Sequence, residues 1–104
     1  MPDTNDQNND PPITPKDVRV PLGRIVATSN ALGTINPADI MAGLRRHVRG
    51  DWGELDEHDR QVNEQALRDG SRLLSAYTAS TGRQFWIITE WDRSVTTILL
   101  PEDY

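Results

Sequence analysis

The chain has no cysteine. That removes a disulfide framework, a thiolate metal site and a cysteine nucleophile in one stroke. It has one lysine, Lys16, against ten arginines. No apolar run approaches the roughly 18 residues of a membrane span. The opening MPDTNDQNNDPP has neither the basic nor the apolar region of a secretory signal, so a cytoplasmic protein without membrane contact is expected. Sixteen acidic residues against eleven basic ones give a formal net charge of −5, which argues against broad attraction to phosphate backbones or anionic lipid. No Gly-rich phosphate loop, G-x-S-x-G elbow or H-E-x-x-H pair occurs, so no cofactor is expected.

What is present fits one small domain. With 104 residues there is little room for a second core. Residues 1 to 17 are dominated by Asp, Asn, Gln, Thr and Pro, with Ile13 the sole large aliphatic after Met1. Such a stretch buries too little apolar surface to offset its ordering entropy, so a disordered acidic tail is expected ahead of a domain at 18–104.

Within that domain, Ile25-Val26-Ala27 predicts a first strand over Leu22 to Thr28, followed by a helical turn at Asn30 to Leu32 capped by Ser29 and stopped by Gly33. Asn36-Pro37-Ala38-Asp39 starts a helix, with Asn at N-cap, Pro at the first helical position and an acid facing the positive dipole end. Ile40, Met41, Leu44 and Val48 form one apolar stripe, and the helix should end near Val48 or Arg49. A second helix should run from Asp56 to Gly70 with a narrow apolar face, anchored by Trp52 and Leu55 in the preceding loop.

From Arg72 onward the period changes to two. Strands are predicted over Leu73 to Ala79, Gln84 to Glu90 and Ser94 to Leu100, joined by turns at Ser80-Thr81-Gly82 and Trp91-Asp92-Arg93. The middle strand has Phe85 and Ile87 on one face and Trp86 and Ile88 on the other, so it should be central. The expected fold is α+β in the order β-α-α-β-β-β, an antiparallel sheet of three to four strands with two helices packed on one face.

Two clusters could carry chemistry. The first is Arg45-Arg46-His47-Val48-Arg49-Gly50-Asp51-Trp52, where arginine forks could hold an anion, His47 could exchange a proton and Trp52 offers a stacking face. The simpler reading is that cations at a helix C-terminus complement the dipole and pair with Asp51, Glu54 and Asp56. The second is Thr89-Glu90-Trp91-Asp92-Arg93-Ser94, where Glu90 could act as base and Arg93 as an oxyanion clamp. Its simpler reading is a solvated turn with an Asp92 side-chain-to-backbone bond and a Glu90 to Arg93 pair. Tyr77, Phe85 and Trp86 read as packing, whereas Trp91 at a turn reads as a contact surface. His47, Asp51 and His58 match no known metal-ligand spacing, so no metal is expected.

The stretch RHVRGDWGELDEHDRQVNEQALRDGSRLLSAYTASTGRQFWIITEWDRSVTTILLPEDY, with GRIVAT more loosely, resembles a group of short uncharacterised bacterial proteins of plasmids and integrative elements. Its members carry labels such as plasmid-related protein or type I restriction subunit M. The second label implies a cofactor fold for which this chain is too short. The resemblance implies an accessory role in a mobile element.

Two functions compete. One is a non-enzymatic module binding a protein partner through Arg45, Arg46, Arg49, Trp52 and the turn at Trp91, Asp92 and Arg93, with nucleic acid reached only through the local arginine patch. The other is a small endoribonuclease of the barnase or RelE-like kind, with His47 as acid, Glu90 as base and Arg93 as phosphate clamp. The second requires those three side chains to converge on one cleft.

Overall fold

The computed structural model describes residues 17–104. The tail expected over residues 1 to 17 therefore lies outside the described residues, except for Asp17. In chain order the elements are β1 (Arg24–Ala27), α1 (Ser29–Thr34), α2 (Pro37–Val48), α3 (Glu57–Asp69), β2 (Leu73–Thr78), β3 (Gln84–Thr89) and β4 (Val95–Leu99), followed by a 3₁₀ turn at Pro101–Asp103. The fold is α+β, as expected. β2, β3 and β4 are one or two residues shorter than the period-two pattern suggested, and β1 is three shorter than expected.

The helix signals act through their backbone groups. Asn36 accepts a hydrogen bond from the Ala38 N–H, and Pro37 fills the first helical position of α2, where its missing donor costs nothing. Asp56 caps α3 by accepting from the Asp59 N–H at 2.8 Å. Gly70, at φ +79°, ends it in the left-handed conformation. The short α1 differs from expectation. Thr28 rather than Ser29 is its cap, accepting from the Ala31 N–H, and Gly33 lies inside the helix instead of stopping it.

The four strands form one sheet in the order β1-β4-β3-β2. β2, β3 and β4 make the expected antiparallel meander, with Ser75 opposite Ile87 and Ile87 opposite Ile98. β1 corrects the expectation of a wholly antiparallel sheet: it runs parallel to β4, with Ile25 beside Thr96 and Ala27 beside Ile98. The reason is the helical crossover between β1 and β2. It returns the chain to the end where β1 began, so β2 runs the same way as β1, and two hairpins later β4 does too.

The inner face of the sheet carries Ile25 and Ala27, Thr96 and Ile98, Phe85, Ile87 and Thr89, and Leu73, Ser75 and Tyr77. Over it lies α2, close enough that a Cβ at Gly43 would stand 3.0 Å from the Phe85 ring. One core cluster joins Ala31, Ile35, Leu44, Tyr77, Phe85, Ile87, Ile98 and Leu100. A second joins Val20, Trp52, Ala66 and Leu73 under α3. On the outer face Tyr104 folds back over Trp86, with ring centroids 5.8 Å apart, and its hydroxyl accepts from Arg72.

Candidate functional site

His47 sits on the last turn of α2 with Leu44 and Val48 on the same buried face. It is fully buried. Its Nδ1 lies 2.6 Å from Ser75 Oγ and its Nε2 lies 2.9 Å from Thr89 Oγ1. Thr89 Oγ1 is 2.7 Å from Thr96 Oγ1, and the Thr96 hydroxyl donates to the Leu22 carbonyl. This polar chain crosses three strands and ends on backbone, so the ring's polar atoms are satisfied inside the protein. Burial, followed by the charge of Arg93, pushes the imidazole pKa down to about 4. The ring is therefore neutral at pH 7, with the edge of Trp52 against it at 5.9 Å.

Arg93 holds the β3–β4 turn. It is the single non-glycine residue with positive φ among the described residues, at 60°. Its guanidinium donates to the carbonyls of Ser71, Glu90, Trp91 and Ala66 at 2.6 to 3.3 Å. Those carbonyls include one at the end of α3, so Arg93 ties the turn to the helix terminus. The expected Glu90 to Arg93 side-chain pair is replaced by this contact to the Glu90 carbonyl. The Glu90 carboxylate instead faces Arg72 at 3.7 Å. Asp92 does what a turn aspartate should, accepting from the Ser94 N–H at 3.0 Å. Trp91 is 67 % exposed.

The arginine patch disperses. Arg46 pairs with Asp51 at 2.8 Å and lies over the Tyr77 ring, which is the helix-terminal pairing anticipated for this segment. Arg45 turns to the other side of α2 and lines a surface groove. Arg49 is the partly buried C-cap residue of α2, its N–H donating to the Arg46 and His47 carbonyls. Trp52, expected to offer a stacking face, is 4 % exposed, and its Nε1 donates to Glu64. It is buried because Gly53 pairs with Ala76 on the edge of β2, drawing the loop onto the sheet. A Cβ at Gly53 would fall 1.9 Å from the Ala76 carbonyl oxygen. Among the residues considered for a metal, His47 has both nitrogens engaged and Asp51 pairs with Arg46, while His58 is exposed on α3.

His47, Glu90 and Arg93 therefore do not meet at an open cleft. A general acid must come within hydrogen-bond reach of substrate, and His47 is sealed behind α2. The ribonuclease assignment is left without an accessible acid.

What the structure does leave open was not singled out in the sequence. Among the described residues, the outer edge of β1 has no strand beside it. The Arg24 and Thr28 N–H groups donate inward to the Ser94 and Ile98 carbonyls, so by alternation the N–H and C=O of Ile25 and Ala27 point outward. Next to that edge lies a groove of about 240 Å³ between β1 and α2, lined by Leu22, Ile25, Met41, Leu44, Arg45 and Val48. Ile25 and Met41 are each 50 % exposed. The available signal was Met41 at the margin of the α2 stripe and Ile25 in phase with it across the first strand.

Among the described residues no helix is long and apolar enough to cross a membrane. Comparison with protein-family models, with curated proteins and with solved structures finds no match for this chain.

Proposed function

We propose that this chain is a non-enzymatic, protein-binding accessory of a bacterial mobile element, working in the cytoplasm. The mobile-element setting rests on the resemblance of residues 46–104 to short plasmid and integrative-element proteins. The binding role is carried by one contrast. Polar groups able to do chemistry are turned inward, as with His47 between Ser75 and Thr89 and Arg93 on four carbonyls, whereas the surface left open among the described residues is an apolar groove beside a strand edge that no described strand covers. Exposed apolar surface next to unused main-chain groups is what a protein partner can fill.

The test has two arms. Purified protein incubated with labelled RNA between pH 5 and 8 should leave it intact, and the surface substitution Glu90→Ala should change nothing. RNA cleavage that is lost in Glu90→Ala would reverse the proposal. In the second arm, random peptides displayed on phage and panned against the full chain should yield a convergent set. Failure to enrich any sequence would count against a binding module.

A further inference from the structure

We infer that two copies of this chain pair edge to edge through β1, antiparallel about a two-fold axis at Val26, so that their sheets run on into each other. This rests on the protein-binding reading and names a second copy as the occupant of that surface.

The two edges of the sheet are treated differently. The β2 edge is closed twice among the described residues. The buried Asn63 carboxamide accepts from the Leu74 N–H and donates to the Leu74 carbonyl, standing in for a neighbouring peptide. Two residues on, Ala76 donates to the Trp52 carbonyl and accepts from the Glu54 N–H. An edge that is neither covered nor interrupted by proline templates a further strand. Arg24–Ala27 contains no proline, and no described strand lies along its outer side.

This strand is complementary to its own reverse. Its outward N–H and C=O groups belong to Ile25 and Ala27, so pairing about Val26 sets Ile25 of one copy opposite Ala27 of the other and uses every one of those groups. The same register places Arg24 opposite Thr28. Wide side chains thus face narrow ones, which lets each opposed pair pack without crowding. Charges meet as well. The Thr28 hydroxyl donates to Asp103 at 2.7 Å, and Asn30 donates to the other oxygen of that carboxylate. With the Leu100 N–H also bound, one of the roughly four acceptor sites of the carboxylate remains. Arg24 is exposed, and among the described residues no carboxylate pairs with it. Across the junction Arg24 of each copy extends along the outer face toward Asp103 of the other, and the two-fold repeats that pair at both ends.

On the inner face the axis stands normal to the sheet, so α2 of both copies lies on the same side. The apolar grooves bearing Ile25 and Met41, each 50 % exposed, then adjoin along the junction. The net charge of −5 on each copy opposes association. Charges farther apart than about 8 Å are screened at physiological salt, whereas Arg24 and Asp103 meet directly.

Sedimentation of the full chain should show a monomer–dimer equilibrium with a Kd of about 1 to 100 μM, since so short a strand pair buries less than a standard interface. Arg24→Glu and Asp103→Arg should each weaken it about tenfold or more, because each homodimer then sets like charges together twice. Mixed in equal amounts, the two variants should pair with each other at near wild-type strength, as every junction charge again meets its opposite. A defect in folding would not be rescued by mixing. Ala27→Pro, which removes an outward N–H and spares those directed at β4, should abolish the dimer. Dimers that survive both charge variants, or that Trp91→Ala abolishes, would overturn the proposal. So would a chain that stays monomeric up to about 1 mM. The edge then belongs to another protein if phage-selected peptides lose binding to Ala27→Pro, and to residues 1–16 if a free peptide of that sequence shifts the β1 amide resonances. Peptides that still bind a monomeric chain would leave the binding module standing without the dimer.

Discussion

Protonation of His47 would place a charge between two hydroxyls in the interior, and neither of its hydrogen-bond partners, Ser75 and Thr89, is a carboxylate. Its folded pKa, about 4, lies below its ordinary value of 6.5. The unfolded chain therefore binds the extra proton first, and stability rises with pH between those values. Above pH 6.5 His47 imposes no penalty. As pH falls from 6.5 to about 4 the penalty grows to roughly 3 kcal/mol and then levels off. Urea titrations at pH 7 and pH 4.5 should show this loss, and His47→Gln should flatten it. The carboxylates of Asp51 and Glu64, held below their usual range by Arg46 and Arg19, lose their contribution only at more acidic pH, so the two effects separate. The sequence announced His47 as a titratable group on a helix but not its surroundings. Ser75, Thr89 and Thr96 are polar residues on the inner phase of three strands, and only the register lines them up.

At the scale of elements, the least conspicuous residue does the most for the sheet. Asn63 is 4 % exposed on α3 and serves both the N–H and the C=O of Leu74. A carboxylate there can accept but not donate, and it is buried. Asn63→Asp should destabilise the fold by about 3 kcal/mol, because the Leu74 carbonyl faces a charge instead of a donor. Chemical denaturation measures the loss. Faster amide exchange at Leu74 would locate it, and unchanged exchange there would contradict the edge-cap role. The helices themselves were legible from short-range chemistry. Asn36-Pro37, Asp56 and Gly70 act within four residues of their targets, and no distant contact can revise them. α1 was misread at its start because the Thr28 cap is fixed from afar, its hydroxyl donating to Asp103.

Across the whole molecule, stability should be graded from the centre of the sheet outward. β3 and β4 are paired on both sides, whereas β1 pairs among the described residues only with β4, through residues as far apart in sequence as Arg24 and Val95. The shortest strand thus depends on the longest loop closure. Native-state hydrogen exchange should find Ile87 and Ile98 opening near the global unfolding free energy and Val26 opening at least about 1 kcal/mol sooner. Equal protection at all three would mean β1 is an integral member of the cooperative unit and no readily accessible edge.

The amino-acid order by itself determined the ends of α2 and α3, the three-strand meander and the greasy middle strand, since caps, turns and alternation act over a few residues. Tertiary structure alone decided that β1 runs parallel to β4, that His47 and Trp52 lie inside, that Arg93 grips carbonyls and that one sheet edge is sealed while the other is left uncovered by the described residues. Each of those outcomes depends on which surfaces meet after the chain crosses the sheet, and residues from 11 to 71 positions apart carry no local mark of their pairing.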